Sequence, residues 1–220
     1  SFQRYHLASA PVVDEAGRLT GMVTVDDVVH VIRDESEEDL LKLAGVSDAV
    51  VGDTVARTVR TRAPWLFLNL FTALSASTVI LFFQNSIEQM TQLAVLMPIA
   101  CSLGGNAGTQ TLAVAVRSLA TRELNPMNAA RYVLREAMAG AFSGLAVGLL
   151  FALVAGAWFQ DAKLGLVCAL AVLANLTCAT IAGTLVPLGL QRFGADPAVS
   201  SSVFVTWLTD TIGFLAFLGI

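Results

Sequence analysis

Pro98-Ile-Ala-Cys-Ser-Leu-Gly-Gly-Asn-Ala-Gly-Thr-Gln110 sits inside a stretch otherwise apolar enough to cross a membrane. A proline, three glycines and several polar side chains are what an ordinary spanning helix avoids. Within lipid, backbone freed from helical hydrogen bonding is tolerated only where it is packed in protein or lines a wet cavity. The stretch therefore predicts a broken helix, and with it a place where something polar binds or passes.

Composition supports a membrane setting. Of 220 residues, 55% are hydrophobic and 14% charged, too apolar for a soluble domain of this size. Charge divides near residue 54. Residues 1–53 hold 11 acids against 4 bases, a net of −7, and residues 54–220 hold 6 against 9, a net of +3. An acidic soluble part thus precedes a membrane part. Cys101, Cys168 and Cys178 fall in apolar segments and read as small core residues. Their spacing implies neither a disulfide framework nor a metal site. The N-terminus is polar, lacks Met and opens mid-pattern, so no signal peptide is expected and the chain reads as a piece of something longer.

Residues 10–32 predict a short strand, a Gly-containing turn, a second β-branched strand and a helix. Thr24 or Asp26 is the expected N-cap, and Val28, Val29 and Ile32 the apolar face. The acidic run Arg33–Asp39 and a helical pattern to about residue 62 follow. Such a run is either a solvated helix face or a cation-sensing surface. Five apolar segments come next: Ala63–Phe83, Thr91–Ala120, Tyr132–Trp158, Lys163–Leu190 and Val199–Ile220. Each is long enough to cross a hydrocarbon core of ~30 Å. With five spans, Arg57, Arg60 and Arg62, the cluster Arg117, Arg122, Arg131 and Arg135, and Arg192 all fall on one side. The positive-inside rule makes that side cytoplasmic, with the acidic domain inside and the C-terminus outside.

Asp210 is the second anomaly. It lies near the middle of the fifth span, between Thr209 and Thr211, with Thr206 one turn earlier. A carboxylate at mid-bilayer costs from ~2.5 to well over 10 kcal/mol, so it normally faces a polar interior. Its sign favours a cation, although a protonated acid in a helix–helix hydrogen bond is the plainer reading. The Gly104-Gly105-Asn106 break suits the same task, since freed carbonyls and the Asn106 oxygen can face an ion or its water. The alternative is a kinked packing interface through Gly104 and Gly108. Gly140, Gly144 and Gly148 in the third span predict a close helix-packing face and a possible subunit contact. Asn175, Thr177 and Thr180 read as interhelical hydrogen bonders. His6 and His30 have no ligand partner spacing, and no catalytic or phosphate-cradling motif appears, so no enzyme is expected. The basic residues flank spans and need no nucleic-acid partner.

Residues 10–29, APVVDEAGRLTGMVTVDDVV, resemble the last β-β-α portion of a cystathionine-β-synthase (CBS) regulatory motif. The rest of the motif and its pairing partner are missing, so this half cannot close its own core. With RDESEEDLLKLAGV, RAPWLFLNL, GGNAGTQ, SLATREL, GADPAVSS and TDTIGF following in order, the chain resembles the C-terminal part of an MgtE-type magnesium transporter. The expected fold is an all-α polytopic membrane domain with five transmembrane helices per subunit, preceded by a partial α/β CBS segment. The expected divisions are 1–32 (CBS end), 33–62 (acidic linker and connecting helix) and 63–220 (pore domain).

The resemblance implies a homodimer in the cell membrane's lipid bilayer, with a Mg²⁺ pore on the dimer axis. It implies that Asp210 recognises the ion, with Thr206 in the same set, and that Asn106, Gly105 and Gly104 contribute pore-facing oxygens. Asp14, Asp26 and Asp196, and Asp48 nearby in register, match positions that bind regulatory Mg²⁺, and the full-length CBS domain is a possible ATP site. Ala16 and Val203 depart from the family pattern. The expected function is a Mg²⁺ channel gated by intracellular Mg²⁺. A Na⁺- or H⁺-coupled divalent-cation transporter and a membrane-anchored adenine-nucleotide sensor are the alternatives.

Overall fold

The computed structural model describes residues 2, 6–44, 46, 52–125, 127–198 and 201–220, the side chains of residues 36, 39 and 40 excepted. An antiparallel hairpin, β1 (Ser9–Val13) and β2 (Leu19–Thr24), places Ser9 opposite Thr24 and Pro11 opposite Met22. Asp14 closes its turn: Oδ1 accepts from the backbone N–H of Ala16 at 2.9 Å and of Arg18 at 2.8 Å. Gly17 supplies the left-handed residue, φ 75°.

Helix α1 (Val25–Leu43) starts at once. Thr24 is its cap: Thr24 Oγ1 accepts from Asp27 N at 3.3 Å, while Asp27 Oδ2 accepts from Thr24 N at 2.8 Å. This reciprocal pair satisfies two otherwise orphaned donors. The hydrogen bonds from Thr24 hold the Asp27 carboxyl below its ordinary range. Val29 and Ile32 are each 58% exposed.

Six further helices follow: α2 (Val55–Phe82), the short α3 (Gln84–Gln89), α4 (Thr91–Ala120), α5 (Ala129–Phe159), α6 (Ala162–Arg192) and α7 (Ser201–Gly219). The fold is thus mostly helical with one small two-stranded sheet. Thr54 caps α2 and Asp161 caps α6, each accepting from backbone N–H groups of the first turn. Helix α2 runs unbroken through Pro64 and across residue 62, so the connecting helix and the first apolar segment form one rod.

Among the described residues four helices are long and apolar enough to cross a membrane: α2, α5, α6 and α7. Helix α4 has the length, 30 residues, but Gln92, Asn106 and Gln110 and its glycines keep it out of that set.

Helix α6 is the centre, with half of its most apolar window buried against 11% for α2. It packs on α4, α5 and α7, and α2 packs on α7. In lipid the helices gain little from leaving solvent, so small residues that permit close backbone approach do the joining. Gly144 and Gly148 of α5 show this. A Cβ on Gly144 would lie 2.9 Å from Leu173 Cα, and one on Gly148 2.8 Å from the Ala169 carbonyl, both on α6. Gly140 faces Thr180 in the same way. The glycine stripe is therefore spent inside the subunit. Outward, α5 and α2 leave Leu153, Phe142, Phe67 and Phe71 exposed, a surface suited to acyl chains.

The break expected at 104–106 is absent: α4 is helical from Thr91 to Ala120, Pro98 included. Glycine costs a helix about 1 kcal/mol relative to alanine, and here the neighbours occupy the space. A Cβ on Gly104 would lie 2.6 Å from Asn175 Cγ, and one on Gly108 2.7 Å from Val205 Cγ1. The carbonyls of Gly105 and Asn106 are not freed either, for both accept from the Thr109 hydroxyl at 3.0 Å.

Candidate cation site

Asp210 sits on α7 half-buried, and among the described residues it has neither a hydrogen bond nor an ion pair. Its neighbours are tied down. Thr206 Oγ1 donates to the Ser202 carbonyl at 2.8 Å, Thr209 Oγ1 to Thr206 O at 2.9 Å, and Thr211 Oγ1 to Trp207 O at 2.7 Å. Each threonine has thus spent its proton inside the helix; Thr206 and Thr211, half-buried, present only oxygen lone pairs outward, while Thr209 is fully buried. A carboxylate flanked by acceptors is an arrangement for a cation.

The other residues read as pore-lining do not share one cavity with it. Thr206 opens on a cavity of about 370 Å³ with Arg62, Trp65, Asn69 and Ser202, between α2 and α7. Asn106, exposed on α4, opens on a separate groove of about 510 Å³ with Gln110, Ser143 and Glu136. The two adjacent glycines differ. Gly104 faces the Asn175 side chain, whereas a Cβ on Gly105 would meet nothing within 4 Å. Gly105 is the glycine whose backbone an ion could approach.

Sequence reasoning passed over Glu136. It lies in the second turn of α5, half-buried on the groove opposite Asn106 and Gln110. It directly follows Arg135, and no local sequence signal sets it apart from the charges that flank the span.

The acids expected to sense the ion are dispersed. Asp14 sits in the hairpin turn, Asp26 is exposed in the first turn of α1, and Asp48 lies outside the described residues. Among the described residues no group of three His, Cys, Asp or Glu side chains is placed to hold a metal. Asp196 is engaged otherwise. Its Oδ2 accepts from Lys42 Nζ at 2.8 Å, and Lys42 also pairs with Glu38 at 2.9 Å. Asp196 Oδ1 accepts from Ala198 N at 2.9 Å. The acidic helix α1 is thereby fastened to the loop between α6 and α7.

Burial pushes the Asp196 carboxyl up, but the hydrogen bonds from Lys42 and Ala198 outweigh it and leave it below its ordinary value. The hydrogen bonds from Asp196 and Glu38 raise the Lys42 ammonium. A depressed acid contributes stability above its unfolded value of about 3.9 and loses it as pH falls through the folded one. A raised base contributes below about 10.4 and loses it as pH climbs through the folded value. The clasp should therefore hold across roughly pH 4–10. Lys42→Met should speed hydrogen exchange in α1 up to about fivefold, in keeping with a partly exposed pair worth ~0.2–1 kcal/mol. Acid that carries the pH below the lowered Asp196 value should mimic the variant. Exchange unchanged by both would show that the clasp fastens nothing.

Residues 97–220 match the family model described as MgtE, divalent cation transporter. The chain belongs to that family. Residues 1–34 match the CBS domain model. Among curated proteins, the chain is 37% identical over 216 residues to the magnesium transporter MgtE of Enterococcus faecalis, covering 98% of this chain and 48% of that protein. It is 36% identical over 219 residues to the magnesium transporter MgtE of Bacillus subtilis, covering 99% and 49%. For that of Thermus thermophilus the figures are 35% over 221 residues, 98% and 48%. The chain spans about half the length of these curated relatives. It is a multi-pass membrane protein of a transporter family.

Proposed function

We propose that the chain forms the membrane pathway of a magnesium transporter, conducting Mg²⁺ inward and closing when cytoplasmic Mg²⁺ is high. The observation that carries this reading is Asp210: a half-buried carboxylate within a membrane helix, flanked by acceptor oxygens, with no partner among the described residues. The names of the relatives supply the ion. Mg²⁺ dehydrates reluctantly and usually keeps several waters. A site of one carboxylate per subunit with threonine, asparagine and backbone oxygens suits such a hydrated ion.

In this reading α4 is the fifth crossing. Its polar positions are tolerated because Gly104 and Gly108 are packed in protein, while Gly105 and Asn106 face the pathway. Two copies meet around a twofold axis, bringing a pair of Asp210 side chains and Thr206 to one ion. The arginines at the start of α2, between α4 and α5 and at the end of α6 lie in the cytoplasm, and the C-terminus lies outside. Gating proceeds by differential binding. Mg²⁺ bridging Asp14, Asp26, Asp48 and Asp196 to neighbouring acids favours the closed state, and carboxylate repulsion at low Mg²⁺ opens it.

Liposomes holding the protein, with a Mg²⁺ gradient and no Na⁺ or pH gradient, test this. Mg²⁺ should enter down its gradient. Entry only with an added Na⁺ or proton gradient would replace the channel with a coupled transporter, and no divalent flux under any gradient would sink both.

A further inference from the structure

Asn175, in the middle of α6, is fully buried, 0% exposed. The buried threonines of the same helix, Thr180 and Thr184, donate back to their own helix at 3.0 Å. Asn175 reaches across instead: its Nδ2 donates to the Ala100 carbonyl of α4 at 3.0 Å. Its Oδ1 has no hydrogen-bond partner among the described residues. Space for the carboxamide comes from two helices at once. A Cβ on Gly104 of α4 would lie 2.7 Å from Oδ1, and a Cβ on Gly213 of α7 2.9 Å from Nδ2 and 3.0 Å from Cys101 Sγ.

Both glycines adjoin the proposed pathway. Gly104 directly precedes Gly105 and Asn106, and Gly213 lies three residues beyond Asp210. One side chain therefore touches the turn beside each helix that faces the ion. If filling space were the whole task, a leucine of similar size would do it without leaving a buried acceptor open. A directional hydrogen bond adds what an apolar side chain cannot: a fixed register along the helix axes.

We propose that Asn175 is a positioning residue for ion selection: its carboxamide, wedged between Gly104 and Gly213 and bonded to Ala100, sets how far Asp210 stands from the Gly105–Asn106 backbone. The inference rests on the pathway proposed above. The spacing of oxygen ligands distinguishes Mg²⁺, held near 2.1 Å or through ordered water, from the larger Ca²⁺ at about 2.3–2.6 Å. An amide that fixes that spacing controls the choice between them while touching neither.

The test is the ratio of Mg²⁺ to Ca²⁺ influx in liposomes holding the full chain, each ion under its own gradient. Asn175→Leu keeps the volume and removes the bond; Asn175→Asp keeps the shape and removes the donor. Loss of outer-shell partners of a metal site typically changes metal affinity by about 10–100-fold, so the ratio should fall about tenfold or more in the leucine variant. The aspartate variant should shift it in the same direction. A merely structural role lowers the amount of folded protein, which scales both fluxes equally and leaves the ratio untouched. An unchanged ratio in either folded variant, or failure of both to fold, overturns the inference. Absence of divalent flux in the unaltered protein would instead sink the proposed function.

Discussion

Gly104→Ala is expected to destabilise the membrane domain by about 3 kcal/mol, and Gly105→Ala, one residue further, to leave it unchanged or more stable by up to ~1 kcal/mol. The added methyl at Gly104 falls on Asn175, 2.6 Å from Cγ and 2.7 Å from Oδ1. Asn175 has nowhere to go, since Gly213 and Cys101 close its other side. Overpacking of this kind costs about 1–3 kcal/mol. Displacing the amide also breaks its bond to Ala100 and strands a buried donor and acceptor, about 1–3 kcal/mol more. Alanine's better helix propensity returns only ~1 kcal/mol. At Gly105 the same methyl meets nothing within 4 Å, so only the propensity gain remains. Unfolding in detergent micelles reads both; shifts of the same sign and size would refute the assignment of one glycine to packing and the other to open space. If Gly105 lets an ion approach the backbone, its alanine variant should be stable yet slow.

Asp210→Asn and Asp210→Ala should abolish Mg²⁺ influx, a fall of about a hundredfold or more, without loss of stability. Contacts to a charged group contribute about 1.5–3 kcal/mol each, and a twofold axis would remove two at once. Most substitutions at a buried polar residue break a hydrogen bond. Here there is none to break among the described residues, so neutralising the group removes only the cost of holding a charge away from water. The discriminating result is the pairing of lost flux with equal or higher unfolding temperature. Lost flux with lost stability would make Asp210 a fold residue, and unimpaired flux would remove it from the pathway.

Much of the fold follows from local pattern. The hairpin and the Thr24 cap rest on local contacts, and the apolar segments predict α4 to α7 to within a few residues, whereas α2 begins at Val55, eight residues before the predicted Ala63. The glycine spacing of α5 also foretells a packing face. Its partner does not follow, because a small-residue stripe fits another helix of the same chain as well as a second copy. Gly144 and Gly148 meet α6.

The stretch at 98–110 shows the limit most clearly. Glycine permits a break and permits close packing, and the outcome depends on what arrives from elsewhere. At Gly104 the arriving group is the carboxamide of Asn175, 71 positions later in the chain. The Lys42–Asp196 clasp spans 154 residues and has no local signature. Asp210 was legible because charge in a span is anomalous on its own. The placing of Glu136 on the Asn106 groove was not, because it depends on how α5 sits against α4.

Helix α2 also has a mechanical meaning. Its upper part is pinned to α7 by the bond from Trp207 Nε1 to Ser75 Oγ at 2.7 Å. From that pivot to Val55 the rod extends 20 residues, about 30 Å. Trp207 stands three residues, about 5 Å, from Asp210. The arms differ roughly sixfold, so, with α7 turning as one with the rod, a 10° tilt sweeping the Val55 end by about 5 Å would move the acid by less than about 1 Å. Such a lever gears coarse displacement of the Val55 end down to the sub-ångström scale at Asp210, and Pro64, between load and pivot, is where the rod can flex.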